Sequence, residues 1–237
     1  MSSTVLPGIL PGFSTPVHDA QHCFRALLEA VSRPGKPVCL NVLPPVSSLG
    51  ASVPDSCLSG LVAVALTLCD ADTPVWLDVC LDTPAMRQHL RFHCGCSIVS
   101  DPGAASFALI GNAETMPRFT SFFPGEPEYP DRSATLIIAA RFTAAERGCL
   151  VSGPGISPAR NPQGLPFCPG GLPVWFWEEW TVNRDGYPLG VDVIFVDSSP
   201  SDGNFVCIAG LPRSVSAVSP NRACFGPAGE TRACMSQ

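Results

Sequence analysis

Apolar residues at positions 20, 23, 24, 27, 28 and 31 recur with the three-to-four spacing of a helix face, and Asp19 just before them offers an N-cap side chain. Pro34-Gly35 closes that helix. Residues 36–42 alternate weakly, as a strand does, and the proline-rich 44–54 reads as a loop. Over 57–69 nearly every position is apolar, which predicts a helix buried on all sides. A turn at 70–74 leads into a short strand over 75–79. Thr83-Pro84 pairs an N-cap with a proline at the first helical position and starts a helix running to about His93. Further strands are expected over 106–110, 134–140, 148–152, 191–196 and 204–208, and a helix within 172–182. Strands and helices alternate, so the chain reads as α/β.

No internal repeat, charge run or compositional break divides the 237 residues, which predicts a single domain, 1–237, with an ordered core over about 10–220. The longest irregular connection, 153–173, has the length at which loops become functional or mobile. The ends, 1–11 and 220–237, are expected to be loosely ordered. Charged residues are 14% of the chain, well below the usual level of about 25%, while apolar residues are 46%. That excess predicts oligomerisation or a partner surface. A net charge of -6 leaves no overall positive field, so nucleic-acid binding is not expected. The longest apolar run, 56–69, is too short to cross a bilayer, so no membrane is expected either. The start of the chain has no basic residue ahead of its apolar part and is a poor secretory signal. With twelve scattered cysteines, the reading is a cytoplasmic protein whose thiols stay reduced.

Phosphate-binding loops, GxGxxG, GxSxG, HExxH and CxxC are all missing from the sequence. His89, His93, Cys94 and Cys96 place four soft donors close together. Adjacent His93 and Cys94 point in different directions, however, and Cys-x-Cys is not a zinc-knuckle spacing, so no metal is assigned. His18 and His22 are four apart, but with Asp19 as the cap His18 falls outside the helix. Lys36 is the sole lysine; at the start of the first strand it is misplaced for a Schiff base to pyridoxal phosphate, and no cofactor is expected. Arg25, Arg91 and Arg213 are open to two readings, surface ion pairs or forked donors converging on a phosphate or phosphonate. Asp70, Asp72 and Asp78 serve equally as turn and cap residues or as acid and base.

Five strings carry a resemblance: PVHDAQHCFRALLEAVSRPG (16–35), LTLCDADTPVWL (66–77), LRFHCGCSIVSDP (90–102), YPLGVDVIFV (187–196) and LPRSV (211–215). In this order and spacing the chain resembles the PhnH family, a subunit of the bacterial carbon-phosphorus lyase machinery, over roughly 10–220. The family pattern falls on Ala20, Gln21, Phe24, Arg25, Leu28, Ala30, Ser32, Pro34 and Gly35, then on Asp70 and Asp72 to Leu77. It continues on Arg91, Phe92 and His93, on Pro188 to Gly190 with Asp192, and on Pro212 and Arg213. Cys94, Cys96 and the cysteine-rich tail depart from it.

The resemblance implies a three-layer α/β/α sandwich with a mixed sheet, like the large domain of pyridoxal-phosphate-dependent transferases but without the cofactor. It implies a homodimer that meets the G, I and J subunits in organic phosphonate catabolism. The reaction implied is transfer of an alkylphosphonate onto the ribose of ATP, as in an α-D-ribose 1-methylphosphonate 5-triphosphate synthase, with this subunit in an accessory role and inactive alone. The alternative is direct binding of the phosphonate or the ATP triphosphate, with Arg25, Arg91, His93 and Arg213 as candidate residues. A stand-alone zinc protein is the remaining reading.

Overall fold

The computed structural model describes residues 9–142, 149–197 and 205–218. Four helices are formed, α1 (Pro16–Ser32), α2 (Asp55–Leu68), α3 (Pro84–His93) and α4 (Phe176–Asp185). The strands up to the middle of the chain are β1 (Val38–Leu40), β2 (Val75–Leu77), β3 (Ile98–Val99), β4 (Phe107–Ile110) and β5 (Thr135–Phe142). After them come β6 (Cys149–Ser152), β7 (Leu165–Phe167), β8 (Pro169–Gly170), β9 (Asp192–Asp197), β10 (Val206–Leu211) and β11 (Ser216–Val218). The main sheet runs β1-β10-β9-β5-β4-β2-β3, with β8 paired to the end of β5. Strands β3, β2, β4, β5 and β9 are parallel, and β10 and β1 add antiparallel edges. A smaller antiparallel sheet, β11-β6-β7, stands apart. The chain is therefore a mixed α/β structure.

The centre of the sheet is apolar at consecutive positions because both of its faces are covered. In β5 and β9, Ile137, Ala139, Ile194 and Val196 join one core with α1, α2 and α3. Their alternates Leu136, Ile138, Val193 and Phe195 join a second core with α4 and the small sheet. Helix α2 lies deepest on the first face, buried from Cys57 through Ala65. It needs Gly60 there, since a Cβ would come within 2.7 Å of Val196 Cγ1 and 2.8 Å of Val206 Cγ2. On the second face Phe176 and Trp180 stack with centroids 6.4 Å apart, and Trp180 Nε1 donates to the Val215 carbonyl at 3.0 Å.

Several expectations change in detail. Helix α1 begins at Pro16 with Thr15 as the N-cap. Asp19 lies a turn inside, where its Oδ2 accepts the Thr15 N–H at 2.8 Å, an arrangement that also suits the helix dipole. His18 is consequently helical and, like His22, exposed. Of the expected α1 stripe only Cys23 and Leu27 are buried, joined by Ala30, which the stripe did not include; Phe24, Leu28 and Val31 face outward. The strand expected over 36–42 shortens to β1, and the irregular 153–173 contains β7 and β8. Thr83 caps α3 as anticipated, accepting the Met86 N–H at 3.0 Å. Residues 148 and 204, the segment 1–8 and the tail 220–237 lie outside the described residues.

Candidate functional site

In the sheet order, β2 connects outward through α3 to β3, whereas β4 connects the other way to β5. Between the carboxyl ends of β2 and β4 the connections therefore diverge, and in open α/β sheets that crevice is where ligands bind. Asp78 follows β2 directly and is buried at 4% exposure. Its Oδ2 accepts the Asn112 N–H at 3.0 Å and the Cys80 thiol at 3.2 Å, while its own N–H donates to the Leu109 carbonyl at 2.9 Å. Burial, reinforced by this carboxylate, pushes the Cys80 thiol up to about 12, so Cys80 is a protonated donor rather than a nucleophile. Gly111 makes room for that sulfur, which would be 2.6 Å from a Cβ there. Beside it, Asn112, Glu114, Arg141 and Gly170 line a cavity of about 300 Å³. An exposed arginine and a carboxylate on either wall can hold a polar ligand.

A second concavity runs along α3. His89 is 1% exposed, neither ring nitrogen has a partner, and the ring borders a cavity of about 230 Å³ with Ser48 and Gln88. Burial, assisted by His93, lowers His89 to about 4, leaving it neutral at ordinary pH. The two imidazoles lie 4.4 Å apart, and His93 Nε2 donates to the Leu10 carbonyl at 2.9 Å. Across Gln88 the groove opens onto Arg87 and Arg91. Arg87 is engaged by Asp82; Arg91 makes no ion pair among the described residues. Cys94 and Cys96 turn their thiols toward the Ala65 carbonyl at 3.7 Å and the Leu90 carbonyl at 3.8 Å respectively. Among the described residues no three His, Cys, Asp or Glu side chains are grouped to hold a metal ion.

The four residues singled out from the sequence stand on three separate elements. Arg25 is exposed on α1; on α3, Arg91 is exposed and His93 half-buried. Arg213, between β10 and β11, joins Asp192 through Nε and Nη2. It also donates from Nη1 to the Pro130 carbonyl at 2.9 Å and the Pro188 carbonyl at 3.3 Å, and from Nη2 to Ser133 Oγ. All five guanidinium N–H groups are thereby engaged within the chain, and Arg213 ties the amino-terminal ends of β5 and β9 to the β10–β11 turn. Sequence reasoning reached Asp78 as one of three aspartates. It missed Asn112 and Arg141, which only the strand order brings beside it.

Comparison with known proteins adds relatedness to this geometry. Residues 11–218 match the family model described as bacterial phosphonate metabolism protein (PhnH). A protein of Rhizobium meliloti (strain 1021) named alpha-D-ribose 1-methylphosphonate 5-triphosphate synthase subunit PhnH is 36% identical over 183 residues, 77% of this chain and 85% of that protein. The match spans both cores, the α3 groove and the crevice after β2 and β4, and the chain belongs to the PhnH family of bacterial phosphonate metabolism proteins.

Proposed function

We infer that the chain acts as a subunit of a phosphonate ribosyl triphosphate synthase, with assembly as its first role. The relationship to a protein bearing that subunit name carries the reading. It is supported by α1, whose outer face presents Val17 at 69%, Phe24 at 46%, Leu28 at 54% and Val31 at 41% exposure. An apolar stripe of that kind, rimmed by polar residues, is the signature of a protein interface. The partners are a second copy of the chain and the G, I and J subunits, in the cytoplasm. No described helix is long and apolar enough to cross a membrane.

The reading includes a single domain, supported by two cores that share one sheet. It also includes a three-layer fold akin to the pyridoxal-phosphate transferases that works without the cofactor, for which the five parallel strands of the main sheet speak. The second reading, direct binding of phosphonate or triphosphate, is favoured by Arg91 beside the groove at His89, with His93 on the same helix and Arg25 on α1. Arg213 has no donor left for it. The test is alkylphosphonate-dependent release of adenine from ATP by the co-purified subunits. Assembly predicts that activity and complex disappear together when this chain is omitted or when Leu28→Asp is introduced. Arg91→Ala in an intact but inactive complex would transfer support to direct binding.

A further inference from the structure

Strand β1 is an edge strand whose register on β10 sets Cys39 directly opposite Cys207. Opposed residues in an antiparallel ladder are either hydrogen-bonded pairs or the closer non-hydrogen-bonded pairs. Gly210, three residues along from Cys207, turns its carbonyl toward the β1 side, where it accepts the Gly35 N–H at 3.1 Å. Alternation along β10 then turns the backbone of Cys207 the other way, toward β9, which makes Cys39 and Cys207 a non-hydrogen-bonded pair. Such pairs hold their Cα atoms about 4.5 Å apart, inside the span that a disulfide bridges.

The side chains meet as the register requires. Cys39 is near enough to Cys207 to help raise the pKa of the Cys207 thiol. A Cβ at Gly210 would touch α1, and Val206 reaches α2; the alternate position, Cys207, therefore projects from the opposite face. Cys39 is exposed there and Cys207 half-buried, whereas Cys23, Cys57, Cys69, Cys96 and Cys149 are buried. Among the described residues this is the cysteine pair that combines direct opposition in a ladder with access from solvent.

We propose that Cys39 and Cys207 form a reversible disulfide, a redox modification site at the edge of the main sheet. A low-molecular-weight disulfide such as oxidised glutathione supplies the oxidant. The exposed Cys39 thiolate attacks one glutathione sulfur, forming a mixed disulfide and releasing one glutathione thiolate. Burial keeps the Cys207 thiol up at about 11, so it acts second, losing its proton as its sulfur attacks that of Cys39 and displaces the second glutathione thiolate. The protons lost by the two cysteines are taken up by the two glutathione thiolates. Two protein thiols are oxidised and one glutathione disulfide is reduced. The product links the α1–α2 connection covalently to the last strand of the main sheet.

The test incubates the full chain with oxidised glutathione, alkylates the remaining thiols and maps disulfides by mass spectrometry without reductant. The expected result is a peptide pair joined through Cys39 and Cys207, the loss of two titratable thiols per chain, and reversal by excess reduced glutathione. Cys39→Ser abolishes the link while melting like the unmodified chain under reducing conditions, since its side chain is exposed. Three results would overturn the proposal: a lasting Cys39–glutathione adduct with Cys207 free, a link between Cys39 residues of two chains, or a cross-link unchanged in Cys207→Ser.

Discussion

Replacing Arg213 by alanine removes a guanidinium whose side chain is only 12% exposed and leaves the Asp192 carboxylate, 30% exposed, without its ion-pair partner, holding only the backbone N–H of residue 213 at 2.7 Å. Truncating one member of a buried ion pair costs about 3–5 kcal/mol, largely because the other charge stays behind. Partial hydration of Asp192 moves the expectation to the low end, about 3 kcal/mol. The carbonyls of Pro130 and Pro188 and the hydroxyl of Ser133 lose a donor as well, so the loss does not fall much below that figure. For a chain of this length each kcal/mol moves the melting temperature by about 2–4 °C, giving a fall of about 6–12 °C followed by circular dichroism. Arg213→Lys keeps the charge but loses the fork and falls in between. Arg25→Ala, on the exposed face of α1, stays within about 0.5 kcal/mol of the parent. An Arg213→Ala protein that melts like the parent would refute the reasoning and free that side chain for a ligand.

Leu27→Asp places a carboxylate at a position 3% exposed in the α1–α2 contact, and a loss of several kcal/mol is expected in urea denaturation. Gly210→Ala sets a Cβ 2.7 Å from the Ala30 carbonyl oxygen and 2.8 Å from Val31 Cα; because backbone cannot rotate away, destabilisation by about 1–3 kcal/mol is expected by the same assay. His89 protonates at about 4 in the folded chain against 6.5 when exposed. The unfolded state therefore binds the extra proton between those values, and stability present above pH 6.5 is lost as pH falls toward 4, by about 3 kcal/mol. His89→Leu, which also removes two unpaired nitrogens, flattens that part of the pH–stability curve, and an unchanged acid limb would rule the imidazole out as its source.

How far these features could be read in advance depends on how local their causes are. Thr83 and Pro84 mark the start of α3 within two residues, and the apolar run of α2 admits no exposed side, so both helices were legible. Helix α1 was legible as a helix but not in its orientation. Leu27 and Leu28 belong to adjacent stripes of equal hydrophobicity, and only packing on α2 and β10 decides that the first is buried. The short strands β3, β7 and β8 owe their conformation to neighbours distant in sequence. The crevice with Asp78 and Asn112 and the Cys39–Cys207 pair depend on strand order and register. Asp78 looked like any turn aspartate, and the cysteines like scattered small apolar residues.

The central claim, that this chain works by joining other subunits through the outer face of α1, is tested most directly by native mass spectrometry. The chain is measured alone and after co-expression with the G, I and J subunits, as the parent and as Phe24→Asp/Leu28→Asp. The account predicts a dimer alone and a larger stable assembly with the partners, both lost in the double variant while its circular dichroism is unchanged. A parent chain that stays monomeric and ignores those subunits, or a double variant that assembles as well as the parent, would contradict it.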